Sequence, residues 1–99
     1  MLSLEKYIAK SLQTSWQIIE DEIFIVTSKD SMIHTSNNVG ARIWKLINGK
    51  RKIKEIASNI SEEFAVDYEG AEKDLLDFIN QLLKKGMVVL SDDKISLVR

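Results

Sequence analysis

Residues 37–57 have the sequence NNVGARIWKLINGKRKIKEIA, and this stretch decides the fold class. A helix of 3.6 residues per turn would place four of its apolar residues on one face. These residues are Val39, Ile43, Leu46 and Ile47. The preceding asparagines can cap the helix, and Gly49 can end it because glycine accepts the left-handed conformation. The stretch therefore predicts one helix over residues 39–47 and the beginning of a second at Ile53.

Two further helices follow in the sequence. The second covers about residues 53–64, with an apolar stripe formed by Ile53, Ile56, Ala57, Ile60 and Phe64. The third begins after the capping residue Asp67 and ends at Gly86, and its acidic first turn suits the positive end of the helix dipole. Its apolar residues are Ala71, Leu75, Leu76, Phe78, Ile79, Leu82 and Leu83. Three consecutive helices are thus predicted over residues 37–86.

The segments on either side of the helices favour β-structure. Three strands are predicted from β-branched and aromatic residues, at residues 16–20, 23–27 and 31–35. A turn at Asp21–Glu22 would join the first two. After the helices, residues 87–90 and 94–98 predict a closing β-hairpin. Residues 1–14 have helical spacing but no good caps, so a helix and an extended arm both remain open.

This order of elements predicts an α+β fold of the winged helix-turn-helix type. A three-stranded N-terminal antiparallel sheet would pack on a three-helix bundle, with a short C-terminal β-hairpin as the wing. One domain is expected to span residues 1–99. Its parts would be an arm at 1–14, the sheet at 15–36, the helices at 37–86 and the wing at 87–98.

Composition excludes several classes of function. The chain has no cysteine and one histidine, which removes disulfides, thiolate chemistry and multi-histidine metal sites. No triad, phosphate loop or metal-ligand set is present, so we expect neither catalysis nor a cofactor. No apolar run is long enough to span a membrane, and the N-terminus does not resemble a secretory signal. We therefore expect a cytoplasmic location.

The winged-helix order raises the hypothesis of DNA binding, but the third helix has the wrong charge. A helix that enters DNA needs lysine and arginine for phosphate contacts. Between residues 67 and 85 there are three basic residues and five acidic ones, namely Asp67, Glu69, Glu72, Asp74 and Asp77. The net charge of −1 also predicts no general attraction to nucleic acid or to anionic membranes.

Three stretches, taken in order and spacing, resemble the PqqD-like family. Residues 37–57 are similar to its Asn-x-x-Gly-Ala-x-Ile-Trp-x-Leu-(Leu/Ile)-(Asp/Asn)-Gly segment and the Glu-Ile-Ala that follows. FAVDYE at residues 64–69 and DLLDFINQLLKKGMV at residues 74–88 resemble the two later motifs of the family. Two positions depart from the pattern: Ser36 replaces a leucine, and Lys52 replaces a threonine that often caps the second helix.

The resemblance implies a peptide-recognition element of ribosomal peptide natural-product pathways. In that family a leader peptide joins the sheet beside the third strand, in a cleft also walled by the third helix. The implied peptide-binding residues are Ser31, Met32, Ile33, His34, Thr35, Ser36, Lys73, Leu76, Asp77, Asn80 and Leu83. Strand alternation places Met32 and His34 on one face. Leu76 and Leu83 could instead belong to the core.

The implied partners are a precursor peptide and a modification enzyme such as a radical S-adenosylmethionine enzyme, a cyclase or a leader peptidase. A basic segment could meet an acidic patch on that enzyme, or it could be a solvated corner. Its candidate docking residues are Arg42, Lys45, Lys50, Arg51 and Lys52. Two alternatives stay open, a DNA-binding winged helix and a structural subunit that ignores the peptide. The sequence does not distinguish a monomer from a homodimer or among products such as pyrroloquinoline quinone and lasso peptides.

Overall fold

Five strands and three helices make up the described part of the chain, residues 3–28, 31–35 and 38–96 of this computed structural model. In chain order the strands before the helices are β1 (Tyr7–Lys10), β2 (Thr14–Ile19), β3 (Glu22–Thr27) and β4 (Met32–Thr35). The remaining elements are α1 (Asn38–Leu46), α2 (Ile53–Glu63), α3 (Tyr68–Lys84) and β5 (Val88–Ser91). This order confirms the α+β class that the sequence predicts.

Strands β2, β3 and β4 form an antiparallel sheet in that order. The β2–β3 turn consists of Glu20 and Asp21, whose φ angles of 49° and 70° are both positive. Two positive φ angles are the mark of a primed two-residue hairpin turn, whose twist matches that of the strands. The turn therefore lies one residue earlier than the predicted Asp21–Glu22, and Glu22 begins β3.

Strand β5 pairs with β1, so the predicted C-terminal hairpin is wrong. The two strands are antiparallel, with Ile8 opposite Leu90 and Ala9 opposite Val89. The buried side chains of Ile8 and Ala9 provide β5 with an apolar partner. Residues 94–96 are not strand; instead the Ile95 amide donates to the Gly49 carbonyl at 2.8 Å. Residues 97 and 98 lie outside the described residues.

The N-terminal segment contains a strand rather than a helix. β1 occupies residues 7–10 of the predicted arm and forms the edge of the two-stranded β1–β5 sheet. The apolar residues of the arm recur at helical spacing, but the segment forms a strand in which the neighbouring residues Ile8 and Ala9 are both buried. Helical spacing therefore did not predict its structure. Ala9 and its β5 partner Val89 are 80 residues apart in sequence, so no local pattern can predict that they pair.

The three helices begin and end within about a residue of the predicted bounds. Lys52 occupies the position before α2, and its amide donates to Glu55 Oε1 at 2.8 Å. This bond is half of a capping box and compensates for the missing threonine. Asp67 precedes α3 with an extended backbone, although its side chain makes no capping hydrogen bond. The helix bounds predicted from apolar spacing are thus confirmed.

A single apolar core fills the space between the sheets and the helices. Trp44 of α1 is fully buried at its centre. The sheet contributes its inner-facing residues Ile23, Ile25 and Ile33, and α3 contributes Leu75, Ile79 and Leu82. Because β2, β3 and β4 cover this core with one face only, their outer face and both outer strand edges are left for other contacts.

None of the helices in the described part of the chain is both long enough and apolar enough to cross a membrane.

Candidate functional site

Strand β4 leaves one row of backbone groups unpaired. The Thr27 amide donates to the Ser31 carbonyl at 2.9 Å, and Ile33 lies opposite Ile25 of β3. In an antiparallel ladder the residues alternate in which side their backbone groups face. Ser31 and Ile33 therefore face β3, and Met32 and His34 face the open edge. No strand pairs with that edge within the described residues.

A cleft of about 440 Å³ lies beside this edge, between β4, α1 and α3. Its lining residues are Ile33, His34, Val39, Gly40, Ile43, Asp74, Phe78 and Gln81. Asp74, Phe78 and Gln81 follow one another at helical spacing along one side of α3. An extended segment that paired with β4 would lie along the mouth of this cleft.

The His34 side chain is held on the outer face of the sheet. Its ring stacks on Phe24 with centroids 4.3 Å apart, and Nε2 is hydrogen-bonded to Glu22 Oε1 at 2.8 Å. These contacts fix the His34 side chain against β3, while its amide and carbonyl face the open edge. The predicted alternation of Met32 and His34 on one face is confirmed by their exposure, whereas Ile33 is buried.

Part of the predicted binding set lies on another side of α3. Lys73, Leu76, Asp77 and Asn80 line a separate, larger depression of about 1060 Å³ along the outer side of the helix. The structure does not bring these four residues into the β4 cleft. Leu83, like Leu76, is half-buried and packs against the core. Their role in peptide binding stays a prediction, as do the roles of the β4 residues; Ser36 lies outside the described residues.

The binding set predicted from the sequence does not include Asp74, Phe78 and Gln81, which line the cleft. The buried row Leu75, Ile79 and Leu82 shows which side of α3 faces the core. The residues on either side of this buried row around the helix could face β4. The choice depends on how α3 is rotated against the sheet, which apolar spacing does not specify.

Arg42, one of the predicted docking residues, is engaged within the chain. Its Nε and Nη2 atoms donate to Glu63 at 2.8 and 2.7 Å in a bidentate pair. The guanidinium of Arg42 lowers the pKa of the Glu63 carboxyl by hydrogen bonding. The pair ties α1 to the end of α2, and an acidic partner would have to compete with Glu63 for this arginine.

The other basic residues of this corner differ in their availability. Lys45 and Lys50 are exposed. Arg51 donates to the last carbonyl of α1 at 3.1 Å, and Lys52 lies 3.7 Å from a Glu5 oxygen. Lys45 and Lys50 are therefore the residues of the predicted docking set that are best placed to meet a partner.

A smaller cavity, of about 260 Å³, lies where β1 turns into β2. Its lining residues are Ala9, Lys10, Leu12, Thr14, Trp16, Ile47 and Asn48. The Lys10 ammonium lies 5.1 Å from the ring centroid of Trp16 and 5.2 Å from that of Trp44, and it donates to the Ile47 carbonyl at 2.7 Å. Burial lowers the pKa of Lys10 to about 8. Two indole faces and a carbonyl thus accommodate a partly desolvated cation.

The lowered pKa of Lys10 predicts a pH dependence of stability. Between about pH 8 and the ordinary lysine value near 10.4, the unfolded chain keeps a proton that the folded chain has lost. The Lys10 contribution to the free energy of unfolding should therefore increase with pH across this window. Urea unfolding of the native protein and of Lys10→Met at pH 7.5 and 9.5 measures it. Equal pH slopes in the two proteins would contradict the prediction.

The family of the chain follows from residues 22–88, which match the model for coenzyme PQQ synthesis protein D (PqqD). The chain belongs to the PqqD family. The PqqD match runs from the start of β3 to the start of β5 and includes every wall of the β4 cleft. It leaves out β1 and β2, which line the cavity at Lys10.

A solved structure agrees with the PqqD assignment. TbiB1 in complex with the TbiA(beta) leader peptide superimposes with a TM-score of 0.72 and 28% sequence identity, over 81% of this chain and 93% of that one. No curated protein sequence is similar enough to this PqqD-family chain to count as a match.

Proposed function

We propose that this chain is a non-catalytic adaptor that binds the leader segment of a precursor peptide by strand addition along β4. The observation that carries the proposal is the open β4 edge beside a cleft walled by α1 and α3. The adaptor would present the peptide to a separate modification enzyme, such as a radical S-adenosylmethionine enzyme, a cyclase or a leader peptidase. Resemblance to TbiB1, whose structure contains a leader peptide, supports this role.

Strand addition divides affinity and specificity between two parts of the site. The outward-facing amides and carbonyls of Met32 and His34 can pair with any extended peptide. Alternate side chains of that peptide would then point into the cleft. Ile43 and Phe78 favour an apolar side chain there, and the Asp74 carboxylate at the cleft favours a basic one. A leader with an apolar residue and a basic residue two positions apart fits this chemistry.

The proposed binding residues are of two kinds. Residues 31–35, of which Met32 and His34 face the open edge, would provide the pairing edge, with Asp74, Phe78 and Gln81 as the facing wall. Ser36, which lies outside the described residues, stays a predicted contact. Lys73, Leu76, Asp77, Asn80 and Leu83 stay predicted contacts for the alternative in which the peptide runs along the outer side of α3 instead of the cleft. Lys45 and Lys50 are the proposed contacts to an enzyme.

A matched pair of variants tests which side of α3 meets the peptide. Asp74 and Asp77 are both exposed and lie three residues apart, but only Asp74 lines the cleft. The probe is a labelled peptide with the leader sequence encoded by the short open reading frame nearest to this gene. We expect Asp74→Lys to weaken binding by about tenfold, because a lysine replaces the carboxylate facing a basic residue. Asp77→Lys should bind like the native protein.

Amide chemical shifts provide the decisive readout for the proposal. The leader probe should perturb the amides of residues 31–35 and the cleft side of α3. An unchanged spectrum at saturating peptide would overturn leader binding and leave the structural-subunit alternative. A loss of affinity in Asp77→Lys and not in Asp74→Lys would move the site to the outer side of α3.

A further inference from the structure

A second open edge of the three-stranded sheet lies at β2, opposite β4. The two-residue turn Glu20–Asp21 makes Ile19 and Glu22 a hydrogen-bonded pair. Alternation along β2 then points the backbone groups of Trp16 and Ile18 away from β3. Within the part of the chain that the structure describes, no strand pairs with this edge. β2 thus has the backbone groups that an extended segment would need.

The cavity at Lys10 opens beside this edge. Leu12 and Trp16 lie at its rim with 48% and 45% of their surface exposed. Its volume of about 260 Å³ is below the range of roughly 300–1,000 Å³ that is usual for small-molecule sites. The cavity is therefore the size of an anchor pocket for a single large apolar side chain. An extended strand on β2 would bring such a side chain over Trp16.

The polar groups around the cavity offer hydrogen-bond donors and positive charge. The Lys10 ammonium is held at the cavity, and the Asn48 Oδ1 acceptor is already engaged by the Lys50 amide at 2.9 Å. In the same aromatic cluster, the buried Trp44 Nε1 has no hydrogen-bond acceptor among the described residues. Nearby, Lys45 and Lys50 are exposed and add positive charge, whereas the other basic residues between positions 42 and 54 are engaged within the chain. A carboxylate is the complementary group for this surface.

We propose that the β2 edge and this cavity form a second docking site, which binds an extended acidic segment of a protein partner. The segment pairs with Trp16 and Ile18 through its backbone and places a large apolar side chain in the cavity. A neighbouring carboxylate lies against Lys10. The site stands apart from the β4 cleft, since no residue lines both. The inference therefore does not depend on the proposed function at β4.

The probe for this site is a phage-displayed library of random eight-residue peptides selected on the native protein. We expect one class of selected peptides to combine a large apolar residue with Asp or Glu within two positions. Synthetic peptides of this class should perturb the amides of residues 14–19 and the Trp16 indole. Leu12→Glu, which adds a negative charge at the rim, should weaken their binding by about tenfold or more.

Val66→Glu is the matched control. Val66 is 45% exposed, close to the exposure of Leu12, and it lines neither the cavity nor the β4 cleft. Peptides of the expected class should bind this variant as tightly as the native protein. Selection of no such class, shifts confined to residues 31–35, or equal affinity for native protein and Leu12→Glu would each overturn the second site. None of these outcomes would affect leader binding at β4, whose failure would appear in the Asp74→Lys titration.

Discussion

Replacing His34 with proline is expected to weaken leader binding by about five- to 150-fold while the domain stays folded. The His34 amide faces the open edge of β4, so β3 does not use it. Proline removes this donor and leaves a carbonyl of the bound peptide unsatisfied, at a cost of about 1–3 kcal/mol. An edge strand tolerates proline where the missing amide would have faced solvent. Fluorescence anisotropy with the labelled leader measures the dissociation constant.

His34→Ala separates this backbone effect from the side-chain effect. Alanine loses the stack on Phe24 and the hydrogen bond to Glu22, as proline does, but it keeps the amide. The alanine variant should bind within about threefold of the native protein. Equal weakening by alanine and proline would mean that the imidazole, and not strand pairing, holds the peptide. Circular dichroism checks that both variants fold.

Replacing Gly49 with alanine is expected to destabilise the fold more than the same change at Gly86. Gly49 has a φ of +84°, and an added Cβ would collide with the Ile95 carbonyl oxygen. The Gly49 amide also donates to the Ile8 carbonyl at 2.7 Å, and its own carbonyl accepts from the Ile95 amide at 2.8 Å. Left-handed strain and the weakened hydrogen bonds should together cost about 2–4 kcal/mol.

Gly86 provides the comparison for Gly49. Its φ is +70°, but nothing lies within 4 Å of an added Cβ. Gly86→Ala should therefore cost only the left-handed strain, about 1–2 kcal/mol. Urea unfolding followed by circular dichroism measures both free energies of unfolding. Similar losses in the two variants would show that the contact with Ile95 does not stabilise the fold.

Local sequence patterns predicted the helices well and the pairing of distant strands poorly. Apolar spacing, Gly49 and Gly86 located α1, α2 and α3 because these signals act within a few residues. The pairing of β5 with β1 depends on the buried pair Ile8 and Ala9, far away in sequence. A hairpin over residues 87–98 satisfied the same local alternation, so the prediction of a wing was wrong.

The candidate site shows the same division between local and distant information. The family resemblance implied a groove beside residues 31–36. Strand alternation, which needs only neighbouring residues, then divided Ile33 and His34 between the two faces. The sequence did not select Asp74, Phe78 and Gln81, because the rotation of α3 depends on packing across the core. The sequence also did not predict the position of Lys10 between Trp16 and Trp44. These residues lie on β1, β2 and α1, and no spacing in the sequence indicates that the three elements meet.

The open edge of β4 beside the cleft would also restrict the registers in which a peptide can pair. A paired peptide that slips by one residue turns its opposite face to the cleft, so only shifts of two residues preserve the fit. Each such shift moves the rest of the peptide by about 7 Å. A leader seated in one register would thus set how far its modifiable residues extend from the adaptor. The β4 edge would therefore fix the distance from the adaptor to the modifiable residues in steps of two residues.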